Sequence, residues 1–192
     1  MKKAIFLDIE TTGFSRDWDC IIELAAICVN LETGKTIDEF HSYLKPNKKI
    51  PAKITELTGI DDFMVANAPD EKEVLLNFGV WVADAECKTL IAHNGKSFDF
   101  PFISKRCEKY NIPLDFCDGT YEQIDTLALA RQLKKKGDLV TENLKQPTLA
   151  AFYNIDYTAH CALDDTKALV QLYFKMTGTT PNIAEKRAAL GF

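Results

Sequence analysis

Two acidic residues near the amino terminus have a spacing that suits shared chemistry. Asp8 and Glu10 are separated by one residue inside a largely apolar segment, residues 3–10, which predicts a buried strand. Residues two apart on a strand point to the same face, so both carboxylates leave one side of it. Buried carboxylates need a cationic partner or a metal ion. The pair therefore indicates either a metal site or the solvent-exposed end of the strand, and these two residues alone leave both open.

A third acid is placed by a helical pattern near the other end of the chain. The buried stripe of this helix is defined by Leu169, Leu172, Tyr173 and Met176. One turn earlier the same stripe reaches Asp165, which would then need a cation such as a metal ion. Its neighbour Asp164 falls on the opposite stripe and is interpreted as an exposed acid near a helix N-terminus. That exposed stripe is predicted to continue through Ala168, Gln171 and Lys175.

Two further residues could take part in the same chemistry. Asp99 lies near the start of a predicted helix, between Phe98 and Phe100, which is an unusually apolar setting for an acid. Helix capping is the alternative explanation for it. His160 precedes the last predicted helix by about one residue, and a single histidine is more often a structural or surface group than a catalytic one.

The elements that must position these residues follow from changes in hydrophobic period. Strands are predicted at residues 3–10, 20–29, 36–44, 88–92 and 123–125, the second and third joined as a hairpin. Helices are predicted at residues 51–57, 69–83, 97–110, 126–134, 148–153 and 161–176. Three strands followed by alternating helix and strand indicate a mixed α/β sheet with helices on its faces. Without an internal repeat or linker, residues 1–192 are expected to form a single domain, with its core at about 3–176 and a short helical tail.

Composition excludes several classes of protein. The 192 residues are 46% hydrophobic and 27% charged, as in ordinary globular domains. The longest uncharged run, residues 74–83, is too short for a membrane span, and no signal peptide is indicated, so a cytoplasmic protein without membrane contact is expected.

The six cysteines form no CxxC pair and are interpreted as buried free thiols. A net charge of −5 offers no general attraction for nucleic acid, and the basic runs at residues 45–49 and 131–136 are only local.

Taken in order, the acids and the histidine resemble a known constellation. The series Asp8-x-Glu10, Asp99, His160-x4-Asp165 is similar to that of the DEDDh-type 3′–5′ exonucleases, which include polymerase III epsilon-type proofreading subunits, RNase T and TREX-type nucleases. The resemblance rests on residues 6–13 (FLDIETTG), 92–99 (AHNGKSFD) and 160–165 (HCALDD), with weaker matches at 21–25, 57–60 and 125–127. It implies an RNase H-like fold, in which a mixed five-stranded sheet flanked by helices carries the acids at its centre.

The resemblance also implies roles for individual residues. Two Mg²⁺ or Mn²⁺ ions would be held by Asp8, Glu10, Asp99 and Asp165. His160 would act as the general base toward the attacking water, a task for which an ordinary histidine pKa of about 6.5 is suited. Contacts to the terminal nucleotide are expected around Ile9, Thr11, Thr12 and Asn94.

The expected reaction is hydrolysis of terminal phosphodiester bonds, with release of nucleoside 5′-monophosphates from single-stranded or frayed 3′ ends of DNA. The expected partners are a nucleic acid with a free 3′ hydroxyl and a DNA polymerase or repair complex. RNA trimming, as by RNase T or oligoribonuclease relatives, is an alternative, because the catalytic motifs do not read the 2′-hydroxyl. A non-catalytic nucleic-acid-binding or polymerase-docking domain is another, although binding alone would not require a carboxylate cluster. The oligomeric state and the pathway stay open.

Overall fold

A five-stranded sheet forms the centre of the computed structural model, which describes residues 2–156 and 161–179. Its strands are β1 (Lys3–Thr11), β2 (Ile21–Asn30), β3 (Thr36–Tyr43), β4 (Thr89–Ala92) and β5 (Glu122–Asp125). They lie in the order β3-β2-β1-β4-β5, so that β1 is the central strand. β2 runs antiparallel to β1 and β3, whereas β1, β4 and β5 are parallel. The predicted mixed sheet is confirmed.

The helices follow the predicted series, and no end differs from its predicted position by more than two residues. They are α1 (Ala52–Thr58), α2 (Glu71–Asp84), α3 (Asp99–Lys109), α4 (Thr126–Lys136), α5 (Gln146–Phe152) and α6 (Ala162–Thr177). α3 begins at Asp99, two residues later than predicted, because Phe98 has a non-helical backbone (φ −128°, ψ −75°). α4 continues two residues beyond the prediction and ends where Gly137 takes a left-handed conformation (φ 85°). None of the helices in the described ranges is long and apolar enough to cross a membrane.

The sheet is covered on both faces. On one face, Leu7, Leu24 and neighbouring apolar residues pack with Phe78 of α2 and Phe100 of α3. On the other face, β1 packs against α6, and the rings of Phe6 and Tyr173 meet edge to face at a centroid distance of 5.5 Å. Since β1 is buried on both sides, any charged group on it requires a specific partner.

α6 is itself packed between the sheet and two other helices. A second apolar cluster joins Ala130 of α4, Leu149 of α5, and Ala168 and Leu172 of α6. The sequence pattern placed Ala168 on the exposed stripe, which is wrong, since this residue is 0% exposed. The hydrophobic period of α6 identifies the face toward the sheet, but the contacts with α4 and α5 bury a second face that the pattern does not show.

A buried ion pair connects helices α2 and α3 to strand β2 of the sheet. Arg106 of α3, 1% exposed, donates to the carboxylate of Glu71 at the start of α2 through Nε (2.9 Å) and Nη2. The same carboxylate accepts the backbone N–H of Ile21 on β2 (3.0 Å) and the hydroxyl of Tyr110 (2.8 Å). Because the carboxylate has several donors, the buried charge is paired and hydrogen-bonded, as such charges must be. It fixes α3 against the sheet.

The cysteines follow the prediction with one clear exception. Cys20, Cys28, Cys87 and Cys107 are buried free thiols, and Cys161 is partly buried. Cys117 is exposed, because it lies in the loop between α3 and β5 outside the core. The apolar residues around it in the sequence do not reveal that position.

Candidate active site

The face of β1 that meets α6 changes from apolar to acidic along the strand. Ala4 and Phe6 are buried on this face, and Asp8 and Glu10 follow them at the same spacing. The register between β1 and β4 ends at Phe6, so the part of β1 that carries the acids continues past the end of β4. The acids therefore stand at the carboxyl end of the central strand, where parallel strands leave room for a site.

α6 brings a third carboxylate to this position. One carboxylate oxygen from each of Asp8, Glu10 and Asp165 lies within 4.8 Å of the other two. Asp165 is 8% exposed, whereas Asp164 is partly exposed. The buried position predicted for Asp165 from the helical period is confirmed, although the role of this residue as a metal ligand stays a prediction.

Asp99 joins the group from the other side of β1. It is the first residue of α3 and is 3% exposed. The backbone N–H groups of Asp99 itself and of Ile9 favour the charged form of this carboxylate and so lower its pKa. Helix capping, the alternative explanation for Asp99, is wrong, since Phe98 occupies the N-cap position of α3 and no side-chain hydrogen bond within the described residues caps this helix. Asp99 also interacts electrostatically with Asp8, so the structure brings all four predicted acids together.

The concentration of negative charge is visible in the pKa values. Burial raises the pKa of Asp8 well above its usual range, and the neighbouring carboxylates raise it further. Burial, followed by the charges of Asp165, Glu23 and Asp99, raises the pKa of Glu10 to about 8. Burial raises the pKa of Asp99 to about 7 against the lowering effect of its backbone hydrogen bonds. Each group thus resists ionisation until a cation offsets the repulsion.

The strand end expected to contact the terminal nucleotide is buried in its own turn. Ile9, Thr11 and Thr12 are 4%, 6% and 2% exposed. The hydroxyl of Thr11 donates to the carbonyl of Gly13 (2.6 Å), and that of Thr12 donates to Asp19 Oδ1 (3.1 Å). The two threonine hydroxyl donors are therefore used within the protein. Substrate contacts at this segment stay a prediction.

Two other predicted residues have different positions. Asn94 is exposed in the turn between β4 and α3, with a left-handed backbone (φ 65°), and its backbone N–H donates to Asp125 Oδ1 (2.9 Å). Its contact with substrate stays a prediction. His160, the predicted general base, lies outside the described residues, just before the start of α6.

One buried acid of the site was not assigned a role from the sequence. Glu23 on β2 lies directly opposite Glu10 and is 0% exposed. Its carboxylate accepts the backbone N–H of Ala162, the first residue of α6 (3.0 Å), and lies 2.8 Å from Nε2 of His41 on β3. Glu23 therefore connects the sheet to the helix that carries Asp165. A single charge within the apolar run of β2 was the available sequence signal.

The donor set fits divalent cations. Carboxylate oxygens are the ligands that Mg²⁺ and Mn²⁺ prefer, and closely spaced carboxylates can hold two such ions at a phosphodiester. A largely buried carboxylate cluster at the end of the central strand of a mixed sheet is the arrangement typical of a class of proteins, the RNase H-like nucleases, which generally depend on divalent metal.

The chain belongs to the exonuclease family, since the family model RNase_T, described as "Exonuclease", matches residues 5–173. This confirms the resemblance to the DEDDh-type 3′–5′ exonucleases. Among curated proteins, the chain is 37% identical over 179 residues to a "DNA polymerase III PolC-type" of Staphylococcus haemolyticus. It is 38% identical over 173 residues to the protein of the same name from Bacillus subtilis. These matches cover 92% and 90% of this chain but only 12% and 11% of the polymerases.

Solved structures show the same fold. E. coli exonuclease I in complex with a dA16 oligonucleotide matches with a TM-score of 0.76 at 17% identity, covering 93% of this chain and 41% of the exonuclease. Cell-death related nuclease 4 (CRN-4) matches with a TM-score of 0.74 at 17% identity, covering 93% of this chain and 64% of that nuclease. The expected RNase H-like α/β fold is confirmed.

Proposed function

We propose that the chain hydrolyses the terminal phosphodiester bond at the 3′ end of DNA and releases nucleoside 5′-monophosphates. Two Mg²⁺ or Mn²⁺ ions would be held by Asp8, Glu10, Asp99 and Asp165. The observation that carries this proposal is the set of three carboxylate oxygens within 4.8 Å of one another at the end of β1, in a chain of the exonuclease family. Asp99 adds a fourth carboxylate on the other side of β1.

The chemistry follows from the charges of the site. When bound, the cations supply stabilisation of the negative charge that develops on the entering and leaving oxygens. Asp8 interacts electrostatically with the other three acids, so it would share the binding of the cations with them. His160 would accept the proton of the attacking water, because a histidine near its ordinary pKa is a competent base at neutral pH. Strand β1 and the first turns of α3 and α6 hold the carboxylates in place as the charge develops.

Two observations favour a DNA strand as substrate. The curated relatives are DNA polymerases, and a structural neighbour holds an oligonucleotide of deoxyadenosines.

The surface beside the acids is also suited to a single strand. Phe14 follows the turn after β1, is 83% exposed and lies 6.1 Å from the ring of Phe98, the residue before Asp99. An exposed ring at this place offers a stacking surface for an unpaired base, whatever its identity.

A polymerase or repair complex is the partner that the relatives suggest. The matching segment forms part of a much longer DNA polymerase in the PolC-type proteins. We therefore propose that the exonuclease acts on 3′ ends that a polymerase extends. Comparison of its rates on paired and mismatched 3′ termini tests this, since a proofreading enzyme removes the frayed, mismatched nucleotide faster.

The reaction is tested with matched 5′-labelled single-stranded DNA, duplex DNA and RNA. The labelled DNA should shorten in single-nucleotide steps from its 3′ end, excess chelator should stop the reaction, and Mg²⁺ or Mn²⁺ should restore it. Ca²⁺, which is larger and looser in its coordination, should support little turnover. Asp8→Asn serves as the inactive control. Robust activity in chelator, or cleavage within circular DNA, would overturn the proposal, and a faster reaction on RNA would replace DNA as the substrate.

A further inference from the structure

The first turn of α6 receives a hydrogen-bond donor that none of the predicted roles includes. Gln146, the first residue of α5, is 8% exposed and faces Asp165, which is also 8% exposed. Its side-chain nitrogen donates to the backbone carbonyl of Asp165 (2.9 Å) and to Oδ1 of the same residue (3.0 Å). One amide group thus holds both the main chain and the carboxylate of a residue in the acidic cluster.

This double contact constrains how the carboxylate is oriented. A donor that bonds only the main chain would not orient the side chain, and one that bonds only the carboxylate would not tie it to the backbone of its own helix. Because Gln146 does both, the direction of the Asp165 carboxylate is fixed relative to its own helix. A hydrogen bond to a charged acceptor is also stronger than one between neutral groups.

The chemical type of the donor suits a site that is already crowded with negative charge. A glutamine supplies two N–H groups without a charge of its own, so it neither adds to the repulsion among the acids nor competes as a cation for their oxygens. On the other side of β1, backbone N–H groups favour the charged form of Asp99, again without adding a charge. Neutral donors therefore support carboxylates of the site on both sides of β1.

The segment that carries Gln146 is anchored to the same end of the sheet. His93, which directly follows β4, contacts the carbonyl of Leu144 through Nε2 (3.0 Å) and the hydroxyl of Thr126 through Nδ1 (2.9 Å). Burial lowers the pKa of His93, which favours the neutral ring. Since a carbonyl can only accept, Nε2 carries the proton and donates to Leu144. The backbone two residues before Gln146 is thereby held at the carboxyl end of β4.

We propose that Gln146 is a positioning residue for the metal centre, which holds the Asp165 carboxylate toward Asp8 and Glu10 so that the cluster is preorganised for divalent cations. The inference rests on the proposed metal-dependent function. Groups that hydrogen-bond to metal ligands in this way contribute about 10-fold to 100-fold to metal affinity or activity.

The test measures Mn²⁺ binding to metal-stripped protein by calorimetry and electron paramagnetic resonance, so that it does not depend on turnover. Gln146→Met keeps the length and shape of the side chain but removes the donors. Gln146→Asn keeps the amide but withdraws it by one methylene. Both variants should bind Mn²⁺ about 10-fold to 100-fold more weakly than the wild type. Gln171→Met, on the exposed side of α6, is the matched control and should bind as the wild type does.

The outcomes separate this inference from the function on which it rests. A wild type without metal-dependent nuclease activity would refute the proposed function itself. If the wild type is active while the folded Gln146 variants bind Mn²⁺ with unchanged affinity and an unchanged resonance spectrum, the positioning role is overturned. A lower melting temperature in chelator together with wild-type Mn²⁺ affinity would likewise show that Gln146 only packs α5 against α6. Weaker Mn²⁺ binding with a native circular dichroism spectrum supports the proposal.

Discussion

Replacement of Glu10 by glutamine should stabilise the metal-free protein while abolishing its activity. The pKa of Glu10 is raised from 4.5 to about 8 by burial and by neighbouring carboxylates. Between these two values the folded protein retains a proton that the unfolded chain has already released. The free energy of unfolding therefore falls as pH rises from 4.5 toward 8, and the loss is complete above pH 8. Glu10→Gln removes this loss because an amide does not ionise.

The size of the effect follows from the shift. A change of one pKa unit corresponds to about 1.4 kcal/mol, so the whole shift of Glu10 represents about 5 kcal/mol. The full value is not expected, because the side chain keeps contact with solvent and the other acids can take up protons when Glu10 ionises. The free energy of unfolding of the variant at pH 8.5 should therefore exceed that of the wild type by about 2–4 kcal/mol. At pH 4.5 the variant and the wild type should differ by less than about 1 kcal/mol.

Urea unfolding in excess chelator at the two pH values measures this difference. Glu56→Gln, an exposed substitution on α1, is the control and should change stability little at either pH. Addition of Mg²⁺ at pH 8.5 should stabilise the wild type more than Glu10→Gln, because the variant has lost a ligand. A variant that is no more stable than the wild type at pH 8.5, or whose gain does not grow with pH, would refute the electrostatic account of the cluster.

Three further predictions address the neighbouring residues. Asp165→Ala should abolish nuclease activity while Asp164→Ala retains most of it, as judged by initial rates on 5′-labelled DNA; equal losses in two folded variants would contradict the assignment. His160→Ala should lower turnover by about 100-fold to 10,000-fold and keep Mn²⁺ binding, and an unchanged rate would exclude this residue as the base. Arg106→Ala should cost about 3–5 kcal/mol in urea unfolding because it leaves the Glu71 carboxylate buried without its cation, and the double variant Arg106→Ala/Glu71→Ala should recover part of this loss.

The face on which each acid of the site lies could be predicted from the sequence, because it depends only on the repeat of side-chain directions along a strand or a helix. Asp8 and Glu10 share a face of β1 since side chains alternate along a strand, and Asp165 shares the buried stripe of α6 since it lies one turn before Leu169. The order of the motifs identified the family, and the alternation of strands and helices indicated the mixed sheet. The ends of helices were predicted less accurately than their existence. At α3, for example, the non-helical backbone of Phe98 sets the start of the helix.

Contacts between distant segments were decided only by the tertiary structure. Asp99 comes within electrostatic reach of Asp8 only because α3 packs against β1, and β1 carries its acids past the end of β4 through the register of two strands that are far apart in the chain. Gln146 meets Asp165 because α5 packs beside α6, and the same packing buries Ala168 on a face that the helical period marks as exposed. The hydrophobic period of the sequence indicates which face of a helix or strand is apolar on average. A hydrogen bond between two elements depends on how they pack together, and no local sequence pattern contains that information.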